Sequence, residues 1–234
     1  MTKPTIKIDI VTDINCPWCY LGEQRLKSAM EAAADRYHFE VATKPYELSP
    51  NAPAEGESKE AYFIKNYGAA ALPRLNDSSQ QLAQMGKAEG IIFDWQKATR
   101  IHNTFNAHRL LWLAKDYGVQ KAVADALYKA NFTDGSNVND VDVLLEIGQA
   151  NGIPSQRLQG FFESEEGKQE VRQLEAWAQR SGISGVPAFI FNQQYLVSGA
   201  QPAETFTQVF EQLAPSLQAL QGEDGPSCGP DGIC

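Results

Sequence analysis

Cysteine is scarce. There are four in 234 residues, too few for a disulfide-stapled scaffold, which uses them densely in a much shorter chain. No run of about 18 apolar residues occurs, so no membrane span is expected. Met1 to Lys7 is polar and lacks the apolar stretch of roughly 7–15 residues that a secretory signal needs. The chain as written is therefore expected to be cytoplasmic, or to be a mature form whose signal has been removed, with Met1 favouring the first. Basic residues are in deficit, 20 Lys and Arg against 29 Asp and Glu for a net charge of −9. They nowhere cluster, which argues against nucleic acid as a partner. There is no internal repeat. Hydrophobic content of 43% and charged content of 21% are ordinary for a globular chain. The length allows one full domain or a small domain with a large insertion.

What is present is local and patterned. Ile6, Ile8 and Ile10 alternate with Lys7 and Asp9, which predicts a strand. Asp13-Ile14-Asn15 breaks that pattern, and a helix is expected from Pro17, with Gly22 its one weak residue. Phe39 to Leu48 reads as a second strand, and Pro45 as a mark of an edge or a strand end. The next 130 or so residues read as helices, at Ser58–Tyr67, Leu72–Glu89, Asn103–Tyr117, Gln120–Asn131, Val141–Asn151 and Glu165–Ser181. Ile91 to Trp95 is read as a short extended piece, and Asn103–Tyr117 as a buried helix. Val186 to Phe191 and Tyr195 to Ser198 predict a hairpin, and Pro202 to Leu220 a last amphipathic helix.

The cysteines fall into two local pairs, one near each end of the chain, with no other cysteine between. Cys16-Pro17-Trp18-Cys19 opens the first helix. Two intervening residues at a helix start bring two sulfurs within bonding reach. The unpaired N–H groups and the helix dipole there are expected to favour a thiolate at Cys16. Cys16 is thus the expected nucleophile, exposed to its partner, and Cys19 the resolving thiol one turn further in. Trp18 is expected to be an exposed apolar contact. The rival reading of C-x-x-C is half of a zinc site, since four cysteines in two pairs can make a Cys₄ centre. Zinc knuckles lie on tight Gly-containing turns, whereas this pair opens a helix. Val186-Pro187 sits before a strand, where a cis bond is plausible, though base rates of about 5% for cis favour a trans start of an edge strand.

The order strand, helix, strand, helical block, hairpin, helix is that of an α/β thioredoxin fold with a large all-helical insertion. Residues 1–53 and 183–221 would form the thioredoxin-like part, 54–182 the insertion and 222–234 a flexible cysteine-containing tail. The run Asp13 to Gly22 resembles the DsbA-like thioredoxin-fold family, and more closely its FrnE-type cytosolic subgroup. Asn103 to Leu110, Gly182 to Phe189 and Val197 to Pro202 are similar to the same subgroup. The resemblance implies a cis bond before Pro187, with its loop against Cys16 and the Val186 backbone pairing with an extended substrate. It implies thiol–disulfide exchange with protein or peptide thiols and disulfides, with glutathione or a thioredoxin-type protein as reductant. No metal or organic cofactor is implied. Relatives that use glutathione, the kappa-class transferases and hydroxychromene-carboxylate isomerases, typically carry serine at the position of Cys16 and lack the second cysteine. A transferase or isomerase of that type, or a non-catalytic metal- or peptide-binding module, are the alternatives.

Other polar residues weigh less. Asp9 lies mid-strand and could shuttle a proton if buried near Cys19, but a solvated edge residue is the plainer reading. His108 is expected to be a hydrogen-bonded core histidine, His38 and His102 loop residues, and Glu47 a turn or capping residue. Cys228 and Cys234 flank a Gly- and Pro-rich turn that could close a disulfide and serve as an auxiliary redox pair. Two idle thiols on a disordered tail are the alternative.

Overall fold

The isoleucine alternation near the N-terminus forms a strand, β1 (Thr5–Thr12), in the computed structural model, which describes residues 3–222. Cys228 and Cys234, with the pairing expected of them, lie outside the described residues. Helix α1 (Pro17–Ala32) carries the chain over to β2 (His38–Pro45), which runs parallel to β1 with Ile8 opposite Val41. Strand β2 stops at Pro45, short of the expected Leu48, and lies at a sheet edge.

A helical excursion follows. It opens with a two-residue strand β3 (Glu57–Ser58), then α2 (Lys59–Tyr67) and α3 (Leu72–Ala88). A second short strand, β4 (Arg100–Ile101), pairs with β3. Then come α4 (Phe105–Asp116), α5 (Gln120–Lys129) and a π-helical turn over Ala130–Asp134. The excursion ends with α6 (Val141–Ala150), α7 (Ser155–Phe162) and α8 (Lys168–Arg180). The chain then returns as the hairpin β5 (Ala188–Phe191) and β6 (Tyr195–Ser198), and closes with α9 (Ala203–Gly222). The sheet order is β2-β1-β5-β6, with β5 antiparallel to both β1 and β6. This is a thioredoxin fold with a helical insertion.

The sequence reading missed α7, β3 and β4, all too short for a clear period. Ile91 to Trp95 is not a strand. Ile91 and Phe93 are instead buried, with Phe93 packed so closely on Gly86 that a Cβ there would lie 2.7 Å from its ring. The first strand of the hairpin starts at Ala188 rather than Val186, and the Val186–Pro187 peptide that precedes it is cis.

Three apolar clusters hold these elements. One face of the sheet buries Ile6, Ile8, Ile10, Phe189 and Phe191 under α1 and α9, where Phe206 meets Phe189 edge-on at 4.9 Å. On the other face Val11 and Ala188 pack on Ala178 of α8. The largest cluster lies among the inserted helices, through Leu110, Leu127, Leu144 and Phe161, and runs without a break into Cys16, Cys19, Tyr20 and Leu21 of α1. The insertion therefore shares its core with the helix that carries the cysteines. Helix α4 is buried as expected, but it also carries a buried Arg109 that no sequence pattern announced. Its guanidinium donates to the carbonyls of Phe161, Ser164 and Glu166, satisfying acceptors at and beyond the end of α7.

Gly22 is where α1 comes closest to the cis-proline loop. A Cβ there would lie 3.1 Å from the Phe189 ring, 3.2 Å from Ala200 and 3.2 Å from Pro187. Gly22→Ala is expected to cost about 1–3 kcal/mol by overpacking, despite the better helix propensity of alanine. Urea denaturation would measure it, and a variant more stable than the parent would show that the contact is slack.

Candidate active site

The site begins in the turn between β1 and α1, a buried stretch whose polar groups must be satisfied inside the protein. Asp13 is fully buried. Its carbonyl accepts the Cys16 N–H at 3.0 Å, and its carboxylate accepts the N–H groups of Asn15 at 3.3 Å and Leu48 at 2.7 Å. His108 of α4 lies 3.5 Å from the same carboxylate and 3.1 Å from the Tyr46 carbonyl, so it is a hydrogen-bonded core histidine. Asn15 donates to the carbonyl of His102, and Asn131, held in the π-helical turn, donates to that of Ile14 at 2.9 Å. The insertion thus pins the cysteine turn at several points.

Cys16 is the N-cap of α1, with Pro17 in the first turn, where a missing N–H costs nothing. The Cys19 N–H donates to the Cys16 sulfur at 3.2 Å, and the Cys16 thiol lies 3.7 Å from the Val186 carbonyl, beside the cis Pro187. Cys16, Pro17, Trp18, Cys19, Val186 and Pro187 are therefore brought together. Both cysteines are free thiols. Burial pushes the Cys19 thiol well up, and the neighbouring Cys16 adds to the rise. The expectation of an exposed Cys16 is corrected: it is 4% exposed and forms part of a cavity wall. Trp18 is likewise half-buried and packed on the core, not exposed.

Below Cys19 lies a polar cluster that the sequence reading missed. Glu23 follows Cys19 by four residues, one helical turn, and is fully buried. Its Oε1 accepts the hydroxyls of Thr12 at 3.1 Å and Tyr128 at 2.7 Å, while its Oε2 has no hydrogen-bond partner among the described residues. Burial pushes the Glu23 carboxyl up, against the opposing pull of Lys121 and the two hydroxyls. The Thr12 hydroxyl also stabilises the Cys19 thiolate, so Thr12 faces both groups. The i,i+4 spacing from Cys19 was the available signal for Glu23.

Asp9 is not near this cluster; it pairs with Lys44 at 3.3 Å on a partly exposed part of the sheet. Glu47 is not a solvent-facing turn residue. Its side chain is 3% exposed and ion-paired to Arg172, and burial pushes its carboxyl up. His38 opens β2 rather than lying in a loop, and His102 is a buried loop residue whose pKa burial lowers. Among the described residues no group of His, Cys, Asp or Glu side chains could hold a metal ion, and no helix is long and apolar enough to cross a membrane.

A cavity of about 690 Å³ opens over Cys16. Its floor is Asn15, Cys16 and Val186, and α2, α3 and the segment from Trp95 to Ile101 close over it. Tyr62, Phe63 and Trp95 supply aromatic wall, and Lys59, Arg74 and Arg100 supply charge.

This arrangement has relatives. A probable DsbA oxidoreductase of Streptomyces coelicolor is 33% identical, with 98% of each chain covered and a TM-score of 0.79. A 2-hydroxychromene-2-carboxylate isomerase shares the fold at 14% identity, 92% and 98% coverage and a TM-score of 0.71. The cytosolic disulfide reductase DsbM of Pseudomonas aeruginosa, solved with GSH, does so at 16% identity, 92% and 99% coverage and a TM-score of 0.59. The model of the DSBA-like thioredoxin domain matches residues 7–211, and with the cysteine pair at the helix start this places the chain in the DsbA-like thioredoxin family.

Proposed function

We propose that this chain is a thiol–disulfide oxidoreductase of the FrnE type, acting in the cytosol on protein or peptide substrates through Cys16-Pro17-Trp18-Cys19. The observation that carries this reading is Cys16 as the N-cap of α1, its sulfur accepting the Cys19 N–H beside the Val186 carbonyl. The Val186 backbone is at hand for an extended substrate.

In the reducing direction the Cys16 thiolate attacks one substrate sulfur, and the other leaves as a thiolate. The Cys19 thiol then loses its proton and attacks the Cys16 sulfur, expelling the second substrate sulfur. Two electrons pass to the substrate, and the chain is left with a Cys16–Cys19 disulfide. Glutathione or a thioredoxin-type protein would restore the dithiol. Run backwards, the same steps oxidise a substrate dithiol. Deprotonating Cys19 is the hard step, because burial holds the thiol neutral. Glu23 is the acceptor we assign, with the proton passing through the Thr12 hydroxyl. A glutathione-dependent isomerase is the second reading, favoured by the likeness to the isomerase fold; the presence of Cys19 under Cys16 argues for dithiol exchange instead.

Wild-type protein is expected to reduce insulin with dithiothreitol, and Cys16→Ser to be inactive. Cys19→Ser is expected to retain covalent adducts that mass spectrometry detects. Limiting iodoacetamide is expected to modify Cys16 before Cys19, because Cys19 is fully buried and its thiol is pushed up. Equal labelling, or a Cys16→Ser variant with full turnover, would count against the assignment.

Glu23→Gln is expected to slow resolution of a Cys16 mixed disulfide about 10²-fold near neutral pH, while the first attack is spared. The stability sign is opposite. Because the folded Glu23 carboxyl is pushed up, its contribution is fully present below the unfolded value and is lost as pH rises through the folded one. Glu23→Gln is therefore expected to lose less stability between pH ~4 and ~8 than the parent. Melting curves across that range, beside stopped-flow resolution rates, separate a proton acceptor from a packing residue. A variant less stable at pH 8 and unchanged in resolution would refute the assignment.

A further inference from the structure

The protein carries a net charge of −9, yet the described residues lining the cavity over Cys16 include Lys59, Arg74 and Arg100 and no Asp or Glu. Several cations elsewhere are paired, among them Arg25 with Glu89, Lys121 with Asp125 and Arg172 with Glu47. Among the described residues no carboxylate lies within ion-pair distance of Lys59, Arg74 or Arg100. Two of the three are held in place by contacts that leave the charge intact. Arg100 donates to the carbonyls of Glu55 and Gly56. The Lys59 ammonium sits 3.9 Å from the centre of the Trp95 ring, and that ring is itself tied by its N–H to the Ser79 carbonyl at 2.8 Å. Burial pulls Lys59 down to about 8, the mark of a cation taken partly out of water without a counter-charge.

We propose that this cavity selects small disulfides whose flanking groups carry carboxylates. The inference rests on the disulfide-exchange chemistry proposed above and departs from it in substrate, ranking small disulfides above those of proteins and peptides. Cys16 is 4% exposed at the cavity wall, so a disulfide reaches it by entering the cavity and bringing its flanking groups in as well. Those groups then stand among three cations, Arg74 and Arg100 at the exposed rim and Lys59 partly shielded from water, where Coulomb terms are larger than in bulk. Tyr62, Phe63 and Trp18 receive the apolar parts. A cavity of this size lies within the range of roughly 300–1,000 Å³ that small-molecule sites occupy, which favours a small disulfide over one on a folded protein. The chemistry balances as RS–SR plus the Cys16/Cys19 dithiol giving two RSH and the Cys16–Cys19 disulfide, with the two electrons coming from the dithiol.

The test is single-turnover oxidation of the reduced full chain at neutral pH by three symmetric disulfides: 3,3′-dithiodipropionate, 2-hydroxyethyl disulfide and cystamine. Each rate is divided by the rate of the same reagent with dithiothreitol, which removes intrinsic reactivity. The dianion is expected to exceed the dication by about tenfold or more, with the neutral reagent between, since a charged cleft raises encounter with its counter-charge by that order. The ratio should shrink in molar salt and in Lys59→Gln and Arg74→Gln, with melting curves checking that the variants fold. Normalised rates equal within twofold, or a ratio indifferent to salt in the wild-type protein, would overturn the selection without any variant. If none of the three oxidises the protein, disulfide exchange itself fails. A fourth reagent, a disulfide-linked dimer of the peptide Glu-Cys-Glu, separates the sources. If it reacts faster than the small dianion, the assignment to small disulfides is wrong.

Discussion

The turn from Thr12 to Cys16 is buried, and its backbone and side chains have no water to satisfy them. Most of the site follows from that constraint. Asp13 folds back on Asn15 and holds Leu48, and two carboxamides tie the turn to the insertion, Asn15 by donating to the His102 carbonyl and Asn131 by donating to that of Ile14. A cysteine on a surface loop would be free to move; this one is fixed by partners drawn from the segment after β2, the His102 loop and the π-helical turn. The insertion is therefore no appendage. It shares a core with α1, supplies hydrogen-bond partners to the turn, and closes the cavity above it.

The same packing creates a cost beneath the cysteines. Glu23 is fully buried, with one carboxylate oxygen unpartnered among the described residues, in a place where an apolar residue of similar size would be less costly to fold. Its two hydroxyl partners, Thr12 and Tyr128, come from a strand and from an inserted helix. Tyr128 in turn stacks on Tyr20, the neighbour of Cys19, at 5.0 Å. A destabilising carboxyl held this firmly next to the less reactive thiol is what a proton-transfer role requires and what stability alone would not retain.

Access is the other side of the arrangement. Gly22 lets the cis-proline loop close on α1, which sets Val186 against Cys16. The short β3–β4 ladder and the helices α2 and α3 then cover the front. The thiol is thus presented to a partner within a cavity rather than on an open face, so the chemistry of the cavity wall bears on which disulfides react.

The α/β order, the strand alternation and the cysteine pair at a helix start were legible in the chain itself, because each depends on residues a few positions apart. The role of Cys16 as an N-cap follows from Pro17 and the helical run after it. The family resemblance added the cis Val186–Pro187 bond, which composition and spacing leave open. Tertiary structure decided the rest. Asp9, with the better local claim to an acid's role, pairs with Lys44, while Glu23 lies under the cysteines with Thr12 and Tyr128, 11 and 105 residues away in sequence. Glu47 and Arg172 meet across 125 residues, and Lys59, Arg74 and Arg100 share a cavity with Cys16. Helical and strand periods say which face a side chain takes, but which distant face it then meets is set by how the core closes. Burial, and with it the protonation of Glu23 and Cys19, is decided at that point.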